Sequence, residues 1–67
     1  MTLADNLKKR REEYELTQEE LAKKVGIDRV SISRYEAGYK VPSLNTTVAI
    51  ADALHMSVDE LIGRQVS

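Results

Sequence analysis

The fold is decided by residues 17–43, which read TQEELAKKVGIDRVSISRYEAGYKVPS. Thr17 is followed three residues later by Glu20, a spacing typical of a capping box, in which each side chain bonds the other residue's backbone amide. Gly26 suits the end of the helix that opens there, because glycine adopts a left-handed backbone without steric cost. The stretch therefore begins with a short helix between Thr17 and Gly26.

A second helix follows after a short turn. Asp28 is a favourable N-cap residue for a helix over about residues 29–37, and a glycine stands just beyond its end. In the first helix, Ala22 is small enough for two helices to cross closely, and Ile32 is an apolar anchor on the second. These features predict a helix-turn-helix over about residues 17–37, although the residues alone also fit a helical hairpin with no role in DNA binding.

The remaining helices also begin at side chains that can cap them. Thr2 or Asp5 can cap a first helix near the N-terminus, and Ser43 can cap a fourth. Ser57 opens a short fifth helix through a second capping box. The C-terminal helices therefore cover about residues 43–62.

Apolar residues at helical spacing mark the faces that we expect to point inward. On the first helix these residues are Leu3, Leu7 and Tyr14. On the fourth helix they form a broad face of Leu44, Val48, Ile50, Ala51 and Leu54.

The composition fits one small helical domain. The chain has 67 residues, of which 42% are hydrophobic and 31% are charged, as is typical of a soluble globule too short for two domains. No run of alternating β-branched residues is long enough for a strand. We therefore expect an all-α fold, a compact five-helix bundle in a single domain over residues 1–67.

Several classes of function are disfavoured by the composition. The chain has no cysteine and only one histidine, His55, so it offers no thiolate nucleophile and no evident metal-ligand cluster. Since no nucleophile and base stand in a catalytic pattern, we expect neither enzymatic activity nor a cofactor or small-molecule ligand. With no apolar stretch of about 20 residues and no visible signal sequence, we expect no membrane association and a cytoplasmic location.

Charge is distributed unevenly along the chain. The formal net charge is −1, which taken globally argues against a nucleic-acid partner. Residues 1–40 hold nine lysines and arginines against eight acidic residues, whereas residues 41–67 hold one against three. An anion-binding face is therefore expected in the first part of the chain, whose charge is +1.

The stretch from residue 17 to residue 43 resembles the helix-turn-helix core of the phage lambda repressor and Cro family, also called the xenobiotic-response-element family. The resemblance extends upstream to Leu7 and Arg11 and downstream to Leu61, and it covers about 55 of the 67 residues. It implies a five-helix domain that binds double-stranded operator DNA, usually as a dimer on a pseudo-palindrome. On this interpretation the chain is a small stand-alone prokaryotic transcriptional regulator, and repression is the expected effect.

The resemblance implies that the second helix of the pair enters the major groove with its N-terminal residues forward. The candidates for base contact are Asp28, Arg29, Val30, Ser33 and Arg34. Arg29 and Arg34 can each bind guanine O6 and N7, with phosphate contact as the alternative. Val30 can contact a thymine methyl group, pack beneath the preceding helix, or be an incidental exposed valine. Asp28 can accept from cytosine N4 or serve only as a cap.

A second group of residues is expected at the DNA backbone, where contacts fix the register of the protein rather than read the sequence. Gln18 matches a phosphate-binding position at the start of the first helix of the pair, and its alternative role is that of an ordinary first-turn residue. The other candidates are Ser31, Tyr39, Lys40 and Asn45.

Two charged features of the first helix have competing interpretations. Arg11 and Glu36 match a pair that forms a partly buried salt bridge in related repressors, and phosphate contact by Arg11 is the alternative. The run Lys8-Lys9-Arg10-Arg11 has the appearance of a basic DNA-binding patch. Because nearby glutamates compensate its charge, we interpret this run as a solvated helix face.

The C-terminal end carries more apolar surface than one small core needs. Met56, Val58, Leu61 and Ile62 are therefore candidates for a two-fold interface that would place two recognition helices about one DNA turn (~34 Å) apart. The alternative is that the last three residues only close the monomer core.

Two functions of other classes also remain compatible with the sequence. One is an antitoxin-like protein whose main partner is another protein, and the other is a protein-interaction module that does not bind DNA. The acidic composition favours the interaction module, whereas the predicted exposure of Arg29 and Arg34 argues against it.

Overall fold

The computed structural model describes residues 2–63, and over this range it contains five helices and no strand. The helices are α1 (Leu3–Glu13), α2 (Gln18–Val25), α3 (Arg29–Ala37), α4 (Leu44–Ala53) and α5 (Val58–Ile62). The all-α, five-helix prediction is therefore confirmed. None of these helices combines the length and the apolar character needed to cross a membrane.

The helices begin where the sequence predicted because local side chains bond their first backbone amides. The Thr17 hydroxyl accepts from the Glu20 amide at 3.0 Å, and the Glu20 carboxylate accepts from the Thr17 amide at 2.9 Å. The latter bond holds the pKa of Glu20 below its ordinary value. The same reciprocal arrangement opens α1 at Thr2 and α5 at Ser57.

One cap bonds differently from the others. Asp28 occupies the N-cap position of α3, but its side chain makes no bond to the helix backbone. Instead, the Ser31 hydroxyl donates to Asp28 Oδ1 at 2.5 Å. The sequence therefore located the start of α3 correctly, whereas the bonding of its cap depends on a neighbouring hydroxyl.

Every helix contributes to one hydrophobic core. α3 packs against α1 and α2, α4 lies between α2 and α5, and α5 returns to α1. The largest fully buried side chains are Leu7, Leu21, Ile32, Ile50, Leu54 and Leu61. This arrangement leaves the outer surface of α3 uncovered.

The inward faces of α1 and α4 differ in part from the expected ones. Tyr14 lies at the end of α1 and is 40% exposed, with its ring edge-to-face against His55 at 6.0 Å between centroids. On α4, Leu44 and Val48 are exposed, whereas Thr47 is buried. The Thr47 hydroxyl donates to the backbone oxygen of the N-cap residue at 2.8 Å, which satisfies the buried polar group. The inward face of α4 is thus rotated away from Val48.

The apolar residues at the C-terminal end do not form one surface. Leu61 is fully buried in the monomer, so its assignment to a two-fold interface is wrong. Met56 and Val58 are partly buried against the same core, and Ile62 keeps 40% of its surface exposed. The side-chain amide of Asn6 fixes the end of α5 by donating to the Leu61 backbone oxygen at 3.1 Å.

A matched pair of substitutions tests this division of α5. We expect Leu61→Ala to lower the free energy of unfolding by about 2–5 kcal/mol, because it leaves a cavity in the core. Ile62→Ala should lower it by less than about 1 kcal/mol, because that side chain already contacts solvent. Urea unfolding followed by circular dichroism measures both values. Equal losses for the two variants would contradict the burial of Leu61.

Candidate nucleic-acid interface

The turn between α2 and α3 is formed around Gly26. This residue has φ +86°, a left-handed conformation that strains residues with a side chain. The carbonyl oxygen of Ala22 accepts from the amides of Gly26 and Ile27, at 2.8 Å and 3.0 Å. With only 2% of its surface exposed, Ala22 lets the two helices approach closely. The predicted turn geometry is therefore present.

The two faces of α3 separate as the sequence predicted. Ile32 and Tyr35 point into the core, with 0% and 6% of their surfaces exposed. On the opposite face Val30 is 42% exposed, and Arg29 and Arg34 are also exposed. Because Val30 keeps so much free surface, its alternative role as a residue packed beneath α2 is not supported. The other two candidates for base contact, Asp28 and Ser33, are exposed and partly buried respectively.

Asp28 introduces a negative charge at the leading end of α3. The Ser31 hydroxyl holds the pKa of Asp28 below its ordinary value, and the positive charge of Arg34 adds to this effect. The carboxylate is therefore ionised at neutral pH and can only accept hydrogen bonds. Since its hydrogen is already donated to Asp28, the Ser31 hydroxyl has only lone pairs left for a further partner.

A bidentate ion pair joins α1 to the end of α3. Arg11 Nε donates to Glu36 Oε2 at 2.6 Å, and Arg11 Nη2 donates to Glu36 Oε1 at 3.0 Å. Arg11 Nη1 also donates to the backbone oxygen of Leu16 at 2.6 Å. The hydrogen bonds to Glu36 raise the pKa of Arg11 above its ordinary value. The predicted pair is present, and its bonding leaves Arg11 poorly placed for the alternative role at a phosphate.

Gln18 belongs to the same network. Its Nε2 donates to Glu36 Oε1 at 3.2 Å, so the first residue of α2 is tied to α3 through a carboxylate that also binds α1. This bond uses one of the two hydrogens on the amide nitrogen. The other hydrogen remains for an acceptor such as a phosphate oxygen.

A shallow concavity lies where the network reaches the surface. It is lined by Lys8, Arg11, Gln18, Ser33, Glu36 and Ala37. Lys8 was not among the candidates from the sequence. A signal for it was available, because Lys8 precedes Arg11 by three residues and therefore shares its helix face. Once Arg11 is paired with Glu36, that face must lie beside α3.

The loop between α3 and α4 extends the exposed surface beyond the end of α3. Tyr39 is 86% exposed, and its amide donates to the Arg34 backbone oxygen at 3.0 Å. Lys40 and Asn45 are also exposed. Among residues 2–63, no ion pair involves Arg29, Arg34 or Lys40. These three cations are therefore available to an anionic partner.

α2 and α3 together form a helix-turn-helix, with a left-handed glycine in the turn and an exposed cationic face on the second helix. A helix-turn-helix family model matches residues 7–61 of the chain. The chain therefore belongs to the helix-turn-helix family, in its phage-repressor type, a class of DNA-binding transcription regulators rather than of enzymes.

Individual relatives agree with this assignment. The cryptic phage CTXphi transcriptional repressor RstR of Vibrio cholerae is 39% identical over 64 residues, which are 96% of this chain and 57% of that protein. The P22 c2 repressor, in a crystal structure with a synthetic operator, superposes with a TM-score of 0.92 at 28% identity, covering 97% of this chain and 98% of that one. The restriction-modification controller protein C.AhdI from Aeromonas hydrophila has a TM-score of 0.85 at 32% identity, covering 90% of this chain and 91% of that one.

The chain spans about half the length of most of the curated relatives that it matches, between 45% and 57% for five of the six. The matched stretches are 57–65 residues long and include the helix-turn-helix of this chain. The likeness to P22 c2 and to C.AhdI covers nine-tenths or more of each of those chains.

The buried ion pair yields a stability prediction. Glu36→Ala should lower the free energy of unfolding by about 3–5 kcal/mol, because it leaves the Arg11 guanidinium desolvated without its partner. The matched double variant, Arg11→Met with Glu36→Leu, should recover most of that loss, because apolar side chains of similar size remove both charges together. Chemical unfolding of the three proteins makes the comparison. A loss below about 1 kcal/mol for Glu36→Ala would contradict the burial of this pair, because losses of that size are typical of exposed ion pairs.

Proposed function

We propose that the chain is a sequence-specific repressor that binds double-stranded DNA as a dimer, with α3 in the major groove. The observation that carries this proposal is the outer face of α3. It exposes Arg29, Val30 and Arg34 together, and neither arginine is paired within the described residues. The relatives support repression, because two of them are named as repressors of phages.

In this proposal the exposed face of α3 reads base edges. Arg29 and Arg34 bind guanine O6 and N7, each pairing contributing about 1–3 kcal/mol of discrimination against a wrong base. Val30 contacts a thymine methyl group, and Ser33 lies between these residues on the groove side. Asp28, held ionised by its neighbours, accepts from the exocyclic amine of cytosine.

Most of the proposed contacts with the DNA backbone lie near the C-terminal end of α3, where Gln18 bonds Glu36 and the α3–α4 loop begins. Gln18 offers its second amide hydrogen to a phosphate at the start of α2. Tyr39, Lys40 and Asn45 bind phosphate from the exposed loop and the first turn of α4. Ser31 takes a lesser part, because its hydroxyl hydrogen is engaged by Asp28. In this proposal the chain acts in the cytoplasm of a prokaryotic cell, because its relatives come from bacteria, an archaeon and phages.

The proposed dimer follows from the small number of available cations. Arg29, Arg34 and Lys40 give about three or four phosphate or base contacts per chain, and two chains together give a salt slope of roughly −6. A single chain with half that slope would bind only weakly at physiological salt. Ile62 is the most exposed apolar residue of α5, and we place it at the two-fold interface with Met56 and Val58 at its edge.

Selection from a random pool of DNA duplexes tests the proposed function. We expect the protein to enrich an inverted repeat with half-sites about 10 base pairs apart. Arg34→Ala should lose its preference at one base pair per half-site, a change of about 1–3 kcal/mol there. The control Lys9→Ala removes one positive charge from α1 and should keep the wild-type preference. If no sequence is enriched at low salt, operator recognition is wrong and a protein partner becomes the better hypothesis.

The dimer surface has its own test. Ile62→Asp should lower the fraction of dimer seen by gel filtration with light scattering, because it places a charge in a proposed apolar contact. The control Val41→Asp changes another exposed apolar residue, on the loop before α4, and should leave the dimer unchanged. Wild-type protein that stays monomeric at high micromolar concentration, both free and on DNA, would contradict the dimer.

A further inference from the structure

We infer that Lys8, on α1, is a phosphate-binding residue that extends the DNA-binding surface beside Gln18 and the C-terminal half of α3. This inference rests on the proposed function and adds a third contact region, contributed by a helix outside the helix-turn-helix. Residue type alone does not separate Lys8 from its cationic neighbours. The separation comes from the way α1 is packed.

The run of four cations on α1 is divided among different partners. Arg11 is bound by Glu36 on α3. Arg10 lies 3.4 Å from a carboxylate oxygen of Glu60 on α5, and its guanidinium carbon is 5.9 Å from the centre of the Tyr14 ring. Arg10 and Arg11 therefore both have intramolecular partners.

The two lysines of the run share a concavity on α1 with Asp5, Glu12 and Glu13, but each also borders a different neighbouring element. Lys9 lines a concavity shared with α5, together with Asn6, Arg10, Glu13, Met56 and Glu60. Lys8 lines the concavity between α1, the start of α2 and the outer part of α3. Only Lys8 therefore shares a surface with Gln18 and Ser33, two of the residues that we place at the DNA.

No charged group in the concavity beside α3 forms an ion pair with Lys8. Of the charged groups in the lining, Arg11 and Glu36 neutralise each other and are 11% and 5% exposed. Gln18 is neutral and is fixed by its bond to Glu36. Within the described part of the chain, no acidic oxygen lies within 4.0 Å of the Lys8 ammonium group, including that of Glu12 one turn further along α1. The concavity thus has one positive charge, at its rim.

The chemistry of this arrangement fits a backbone phosphate. A lysine ammonium is a compact point charge on a flexible stem, so it can follow a phosphate without fixed geometry. Beside it, the free amide hydrogen of Gln18 is a directional donor. A charge and a donor at adjacent points hold a phosphate oxygen in place, and neither of them distinguishes one base from another.

The salt dependence of binding distinguishes Lys8 from its neighbour. The dissociation constant for a duplex chosen by the selection is measured by fluorescence anisotropy between 50 and 200 mM salt. Loss of one phosphate contact makes the negative slope of log affinity against log salt less steep, by about 0.9 per bound chain. Lys8→Gln should therefore show this decrease in each chain of the dimer. Its affinity should then fall about twelvefold less than that of the wild type over this range, or about threefold less if a single chain binds. Lys8→Arg should retain the wild-type slope.

Lys9→Gln is the matched control, because it removes the same charge one residue further along α1. It should keep a slope close to that of the wild type, and Lys8→Gln should keep the wild-type base preferences. Equal slopes for Lys8→Gln and Lys9→Gln would overturn the assignment of Lys8. A change in base preference on Lys8→Gln would also overturn it. If the wild-type protein itself binds no duplex at 50 mM salt, the proposed function fails before the question about Lys8 arises.

Discussion

Arg11 and Glu36 meet in a bidentate ion pair that is almost removed from solvent. Taking two charges out of water costs several kcal/mol for each ion, and the attraction between them repays this cost only when the geometry is good and their other hydrogen-bonding groups are satisfied. Here those conditions are met. The guanidinium has a further acceptor in the Leu16 backbone oxygen, and the carboxylate also accepts from Gln18. One carboxylate therefore connects α1, α2 and α3.

This connection determines what the surface can offer to an anionic partner. The chain is slightly acidic overall, so affinity for DNA cannot come from its net charge. It must come from the few cations that intramolecular pairs leave free. The pair with Glu36 removes Arg11 from that group, and the same packing turns Lys8 toward α3. The positions of the basic residues therefore matter more than their number. The run of four on α1 contributes a single cation to the proposed interface.

Features set by local chemistry could be predicted from the sequence. Thr17 and Glu20 are close in the chain, and their capping box follows from residue type and spacing alone. The end of α2 at Gly26 is predictable for the same reason, because a left-handed residue is needed there. The outer face of α3 was also predicted correctly, because the helical period determines which residues lie opposite Ile32.

Features that depend on contacts between helices were less predictable. Apolar residues of α4 surround too much of the helix to define one inward face, and only packing against α2 and α5 selects Thr47 over Val48. Leu61 could not be assigned from its residue type, because leucine is typical both of protein interfaces and of hydrophobic cores. Its burial is decided by the approach of α5 to α1. Lys8 is another example. Its position beside α3 depends on the pairing of Arg11 with Glu36, which lies 25 residues further along the chain.

Val30 lies on the exposed face of α3 that we place in the major groove, so its methyl groups test that placement. Uniformly ¹³C-labelled protein bound to an unlabelled duplex from the selection allows nuclear Overhauser effects between protein and DNA to be observed alone. The account predicts such effects between the Val30 methyl groups and thymine methyl or other major-groove protons. A tight complex in which the Val30 methyl groups show no contact with DNA, while residues of α4 or α5 do, would contradict it.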